Sequence, residues 1–221
     1  MNHAKKLYML GSGWLSSLGY GRSDSIPRFT RDDADLQYPD MLEYIPELPP
    51  RHGRFDTYTN ACFSAAVLAL YDANLLRGDG RRNIGIVVGS SFGVHDNDLI
   101  YYESTQAADG AFTSPNLFSY TLPNVALGEI AVYARFIGPS FCVGNDPAHP
   151  GLEAVGAART LLASGQCESV LAGWVEVARR IPDQRRFPKG AALAVLTGDR
   201  QGGSRKELLY ERDPLSKWFE G

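Results

Sequence analysis

The chain is poor in the residues that build stapled or metal-bound folds. Only three of its 221 residues are cysteine and four are histidine. Cys62, Cys142 and Cys167 are odd in number and show neither CxxC nor His-rich spacing, which argues against a disulfide scaffold or structural zinc and suits a reduced compartment. Charge of one sign is missing too. The 22 Lys plus Arg stand against 25 Asp plus Glu, a formal charge of -3, so no global field favours nucleic acid. Long hydrophobic runs are absent. The opening MNHAKKLYMLGSGWLSSLG is broken by Gly and Ser before it reaches signal-peptide length, and no later segment approaches a membrane span. The expectation is a cytoplasmic protein without metal, cofactor or nucleic-acid partner.

What is present is a 44% hydrophobic composition, enough for one sizeable core, so residues 1–221 read as a single domain. Short β-rich runs alternate with helical patterns: KLYML, a helix over 58–74, IGIVV, a helix over 124–134, SFCV, a helix over 151–164, SVLAGWVEV and AALAVLT. That rhythm predicts an α/β domain of βαβ units around a mostly parallel sheet. IGIVV and AALAVL are apolar at nearly every position, as central strands covered on both faces are. Residues 20–54 and 94–123 fall outside the rhythm, and connections that long are often functional or interfacial.

Three motifs bear on chemistry. GSGWLS, residues 11–16, has Ser16 where a dinucleotide loop needs its third glycine, and reads as a tight turn after the first strand. GSSFG, Gly89 to Gly93, fits the G-x-S-x-G elbow and makes Ser91 a candidate hydrolase nucleophile, although only His95 and His149 follow it; the alternative is a glycine-rich strand-end turn. The cluster ARRIPDQRRFPKG holds Arg179, Arg180, Arg185 and Arg186, either a solvated loop or a docking patch for an acidic protein.

Taken together, the pieces resemble the N-terminal half of a β-ketoacyl synthase of the thiolase-like superfamily, from Leu7 to Asp199. MLGSGWLSSLGYG resembles the family's opening strand and turn, RFDTYTNACFSAAVLALYDANL its first long helix, and RRNIGIVVGSSFG its second strand with the glycine turn. SPNLFSYTLPNVALGEIAVYARFIGPSFCV resembles its S-P, N, G and G-P-S pattern, GLEAVGAARTLLASGQCESVLAGWVEV the helix and strand after the catalytic turn, and KGAALAVLTGD the closing strand. The resemblance implies a three-layer αβα half with a five-stranded mixed, mostly parallel sheet.

In that family G-P-S leads through a strand to a nucleophilic cysteine at a helix N-terminus, where the dipole favours thiolate and backbone N–H groups bind the oxyanion. Counting forward from Gly138-Pro139-Ser140 puts that place at Pro147; counting back from the helix puts it at Ala148, with His149 beside it. Neither side chain is a nucleophile, and proline carries no N–H. Cys142 sits in the apolar strand pattern, where a thiol is usually inert, and Cys167 reads as a surface loop residue. The H-G-T-G-T stretch of the family's second half, which supplies two catalytic histidines, has no counterpart.

By resemblance, the chain is then not an enzyme on its own. It is similar to a chain length factor, the inactive partner of a full-length ketosynthase in type II polyketide, aryl-polyene or fatty-acid-like synthesis. Such partners pair strand to strand across a two-fold axis, and a loop from each lines the other's acyl channel. SFCV, with Phe141, Cys142 and Val143, would be the pairing strand; Leu117, Phe118 and Leu122, with Thr121 beside them, would form the channel floor or else only pack the interface. The arginine cluster would receive an acyl carrier protein. A homodimer or scaffold without a channel is the other outcome.

Overall fold

The structure is a computed structural model that describes residues 7–76, 80–106, 113–181, 187–198 and 206–208. In chain order the elements are β1 (Leu7–Ser16), β2 (Gly19–Arg22), α1 (Thr57–Asp72), β3 (Ile84–Gly89), α2 (His95–Gln106), α3 (Pro115–Ser119), α4 (Asn124–Ala134), β4 (Ser140–Val143), α5 (Leu152–Ala163), β5 (Ser169–Glu176), β6 (Gly190–Thr197) and β7 (Lys206–Leu208).

The strands form one sheet in the order β2-β1-β6-β5-β3-β4, with β7 beside β2 on the outer edge of β1. Its apolar runs are explained by two-sided burial. Ile84, Ile86 and Val88 face a core shared with α1 and α4, whereas Val87 faces a second core under α5. β6 divides the same way, Leu193 and Val195 to one side, Ala194 and Leu196 to the other. These are the three layers expected.

The sheet differs from expectation in size and sense. Among the described residues it has seven strands where five were expected, and of their pairings β3–β4 and β3–β5 alone are parallel. β6 returns antiparallel to β5 and to β1, and β2 folds back on β1 as a hairpin at Gly19, which has φ +134. GSGWLS is not a turn; it continues β1. A Cβ at Gly11 or Gly13 would run into the α1 backbone at Ala73 or Ala65, so the glycines are there to let strand and helix approach. Nor is 94–123 wholly irregular, since it carries α2 and α3.

Helix ends follow their caps. Asp56 accepts the Thr59 N–H at 2.9 Å and starts α1, of whose 16 residues 12 are buried. Arg82, just before β3, donates to the Leu75 carbonyl past α1 and to the Ala134 carbonyl at the end of α4, 2.9 Å, while its guanidinium lies over Phe136. One cation thus serves two carboxyl-terminal ends, where it is electrostatically favoured.

Candidate functional site

The carboxyl ends of β3, β4 and β5 project three loops from one end of the sheet, the usual place for function in such folds. They are residues 90–94, 144–151 and 177–180. A buried carboxylate joins them. Glu176, the last residue of β5, is 0% exposed, and its Oε2 accepts the Ser91 N–H at 2.9 Å. The Ser91 hydroxyl donates to the Asn145 carbonyl at 2.9 Å, and Asn145 Oδ1 accepts the Gly151 N–H at 2.7 Å. Burial pushes the Glu176 carboxyl up, opposed by the backbone N–H groups of Ser91, Ala178 and Phe92 and by Lys189. Lys189, also buried, donates its ammonium to the Ala178 carbonyl.

The elbow itself is an Asp146-centred turn. Asp146 Oδ1 accepts the Ala148 N–H at 2.9 Å, and Oδ2 lies 3.2 Å from His149 Nδ1. Those hydrogen bonds hold the Asp146 carboxyl below its ordinary range. Pro147 and Ala148 therefore lie in a turn that precedes α5, which begins only at Leu152 after Gly151 at φ 83. The Ala148 N–H is already engaged by a carboxylate. His149 is exposed.

Ser91 has no imidazole base bonded to it among the described residues. His95 Nε2 contacts the Arg180 carbonyl at 3.2 Å, and His149 faces Asp146. The thiols are held protonated: desolvation raises Cys142 to about 11 and lifts Cys62 and Cys167 as well. Cys167 is not a surface residue as expected; it is 5% exposed, tucked beside Gly85 under α5. Cys142 lies on β4 facing the α1 core, while Phe141 and Val143 face α5. β4 ends the sheet, so its outer edge is unpaired among the described residues.

The floor candidates sit together on α3 and the turn after it. Phe118 is 61% and Leu122 65% exposed, Leu117 is half-buried, and Thr121 Oγ1 donates to the Phe118 carbonyl at 2.9 Å. The Tyr101 ring of α2 lies 5.4 Å from that of Phe118, extending the apolar surface. Of the arginines, Arg179 pairs with Asp35 at 2.7 Å and Arg180 with Glu103 at 2.8 Å. Asp96 accepts both of their backbone N–H groups, at 2.8 and 3.0 Å. Arg185 and Arg186 lie outside the described residues.

Sequence reasoning missed Glu176, Lys189, Asp96 and Asn97. A carboxylate closing the apolar run SVLAGWVE was the available signal, because a charge there must find buried partners. Among the described residues no group of three or more His, Cys, Asp or Glu is placed to hold a metal ion, and no helix is long and apolar enough to cross a membrane.

Residues 37–196 match the family described as Beta-ketoacyl synthase, N-terminal domain. A 3-oxoacyl-[acyl-carrier-protein] synthase 2 of Vibrio harveyi is 23% identical over 167 residues, 75% of this chain and 40% of that protein. Among solved structures, the ishigamide ketosynthase/chain length factor superposes with a TM-score of 0.67 at 21% identity, covering 87% of this chain and 58% of that one. A type II polyketide acyl-carrier protein in complex with its ketosynthase bound to the hexaketide gives 0.64 at 20%, covering 87% and 63%. A β-ketoacyl synthase from Burkholderia phymatum STM815 gives 0.59 at 18%, covering 87% and 59%. The chain thus spans 40% of the curated relative's length and 58 to 63% of the solved ones.

Proposed function

From the premise that the chain belongs to the β-ketoacyl synthase family, we propose that it is a non-catalytic chain length factor: it pairs with an active ketosynthase and shapes that partner's acyl channel. The elbow carries the reading. At the family's nucleophile position stand Pro147, which has no N–H, and Ala148, whose N–H is bound to Asp146; the first helical turn starts several residues later. No thiol stands in this turn, and the two positions offer no free N–H: Pro147 has none and that of Ala148 is bonded to Asp146.

The partner would meet the chain at β4, whose edge, unpaired among the described residues, can add a strand, and at α3 and the turn after it, which present Phe118 and Leu122 outward. Similarity to a ketosynthase/chain length factor and to a ketosynthase bound to its carrier protein supports both the pairing and a carrier as third component. Arg179 and Arg180 are the described part of the carrier-docking candidate, each already matched by an acidic side chain. The setting is cytoplasmic, and no cofactor is required.

A Ser91 hydrolase has less support, because the hydroxyl is spent on a carbonyl and both nearby imidazoles have other neighbours. Co-expression with a candidate ketosynthase tests the reading. The two should copurify, and Leu122→Ala or Phe118→Ala, assayed above the dissociation constant of the pair, should lengthen the product. A ketosynthase that is soluble, active and unaltered in product length without this chain would refute it, as would stoichiometric fluorophosphonate labelling of Ser91.

A further inference from the structure

α3 is five residues long, and no residue in it is buried. A helix of that length does not hold itself in water, so its position is set by what ties it down. Ser114 caps it from within, accepting the Leu117 N–H at 3.3 Å. Its far end is pinned by Tyr120, 3% exposed, whose hydroxyl reaches Glu129 at 3.4 Å. The middle is tied from outside: Asn97, 7% exposed in the first turn of α2, donates its side-chain amide to the Leu117 carbonyl at 3.0 Å, from 20 residues away. Leu117 and Phe118 emerge at that point.

Asn97 is in turn fastened to the sheet. Its neighbour Asp96 accepts the Arg179 and Arg180 N–H groups just beyond β5, and the loop that leads into α2 is held by Glu176 through Ser91. A continuous set of hydrogen bonds therefore runs from the end of β5 through α2 to the α3 backbone. Asn97 is the sole buried residue of α2. A buried amide is costly unless bonded, whereas a leucine of the same branched shape, though bulkier, makes no such demand.

We propose that Asn97 is a positioning residue that fixes how far the α3 floor stands from the sheet, and thereby helps to set product length. This rests on the reading that α3 lines a partner ketosynthase's channel. Freed from Asn97, α3 can move outward and the floor deepens.

The pair reconstituted with its ketosynthase and a carrier protein provides the test. Asn97→Leu should shift products longer by at least one two-carbon unit with little change in pairing, whereas Asn97→Gln, which keeps an amide, should stay nearer the wild type. Wild-type products from Asn97→Leu beside longer ones from Leu122→Ala would overturn the inference and leave the chain-length reading intact. Unchanged products from both would overturn the two together. On the isolated full chain, hydrogen exchange over residues 114–120 should be about fivefold faster in Asn97→Leu, the equivalent of one net hydrogen bond. Unchanged exchange there refutes the tether even if no partner can be assembled, and Asn97→Ser, which removes the amide donor without adding bulk, gives the same test if Asn97→Leu does not fold.

Discussion

Phe118→Ala separates a surface built for a partner from one built for the chain itself. The ring is 61% exposed, with Tyr101 as its aromatic neighbour at 5.4 Å. A phenylalanine buries roughly 200 Å² when fully covered, so about 120 Å² is open. At about 25 cal/mol per Å², covering it is worth about 3 kcal/mol, and incomplete conversion of area into affinity lowers this to about 1.5–3 kcal/mol. Pairing with the ketosynthase should weaken by roughly 10- to 100-fold, measured by titration calorimetry or sedimentation. The isolated chain loses only the part already buried, about 80 Å² or at most about 2 kcal/mol, so its melting temperature should fall by no more than about 4–8 °C. Unchanged pairing would refute the interfacial placement of α3. A fall of about 10 °C in the isolated chain would make Phe118 a core residue instead and refute the same argument.

Two further substitutions test the local physics. Gly128 lies inside α4, and no neighbouring atom stands within 4 Å of the point an alanine Cβ would occupy, so Gly128→Ala should stabilise the isolated chain by about 1 kcal/mol in denaturant melts; destabilisation would mean that the space is occupied. Burial raises the Glu176 carboxyl, so the folded chain holds that proton more tightly than the unfolded one, and this group lowers stability as pH rises through its folded pKa. Glu176→Gln should therefore outperform the wild type most at pH above that value, the gap closing as pH falls toward about 4.3; a gap independent of pH in denaturant titrations would contradict it.

What was legible followed from periodicity and burial. α1, α4 and α5 and the central strands declared themselves because each buries an apolar face or both faces. α2 did not, since HDNDLIYYESTQ buries only Asn97 and so has no apolar period to read. β2 was hidden because Gly-Tyr-Gly-Arg has neither alternation nor a β-branched residue, and the β1 glycines resembled a turn because their reason, the α1 backbone beside them, is a tertiary fact. At the site, the replaced elbow could be counted out from Gly138-Pro139-Ser140, but the Asp146 turn and the delayed start of α5 could not. Glu176 was invisible as a junction because its partners Ser91 and Lys189 come from distant segments. Cys167 looked exposed between Gln166 and Glu168, yet it turns under α5.

Intact-protein mass spectrometry of the assembled pair after incubation with an acyl-carrier thioester tests the central claim most directly. The predicted result is one 24.2 kDa chain per ketosynthase, with the acyl mass on the ketosynthase alone. An acyl adduct on this chain would contradict it.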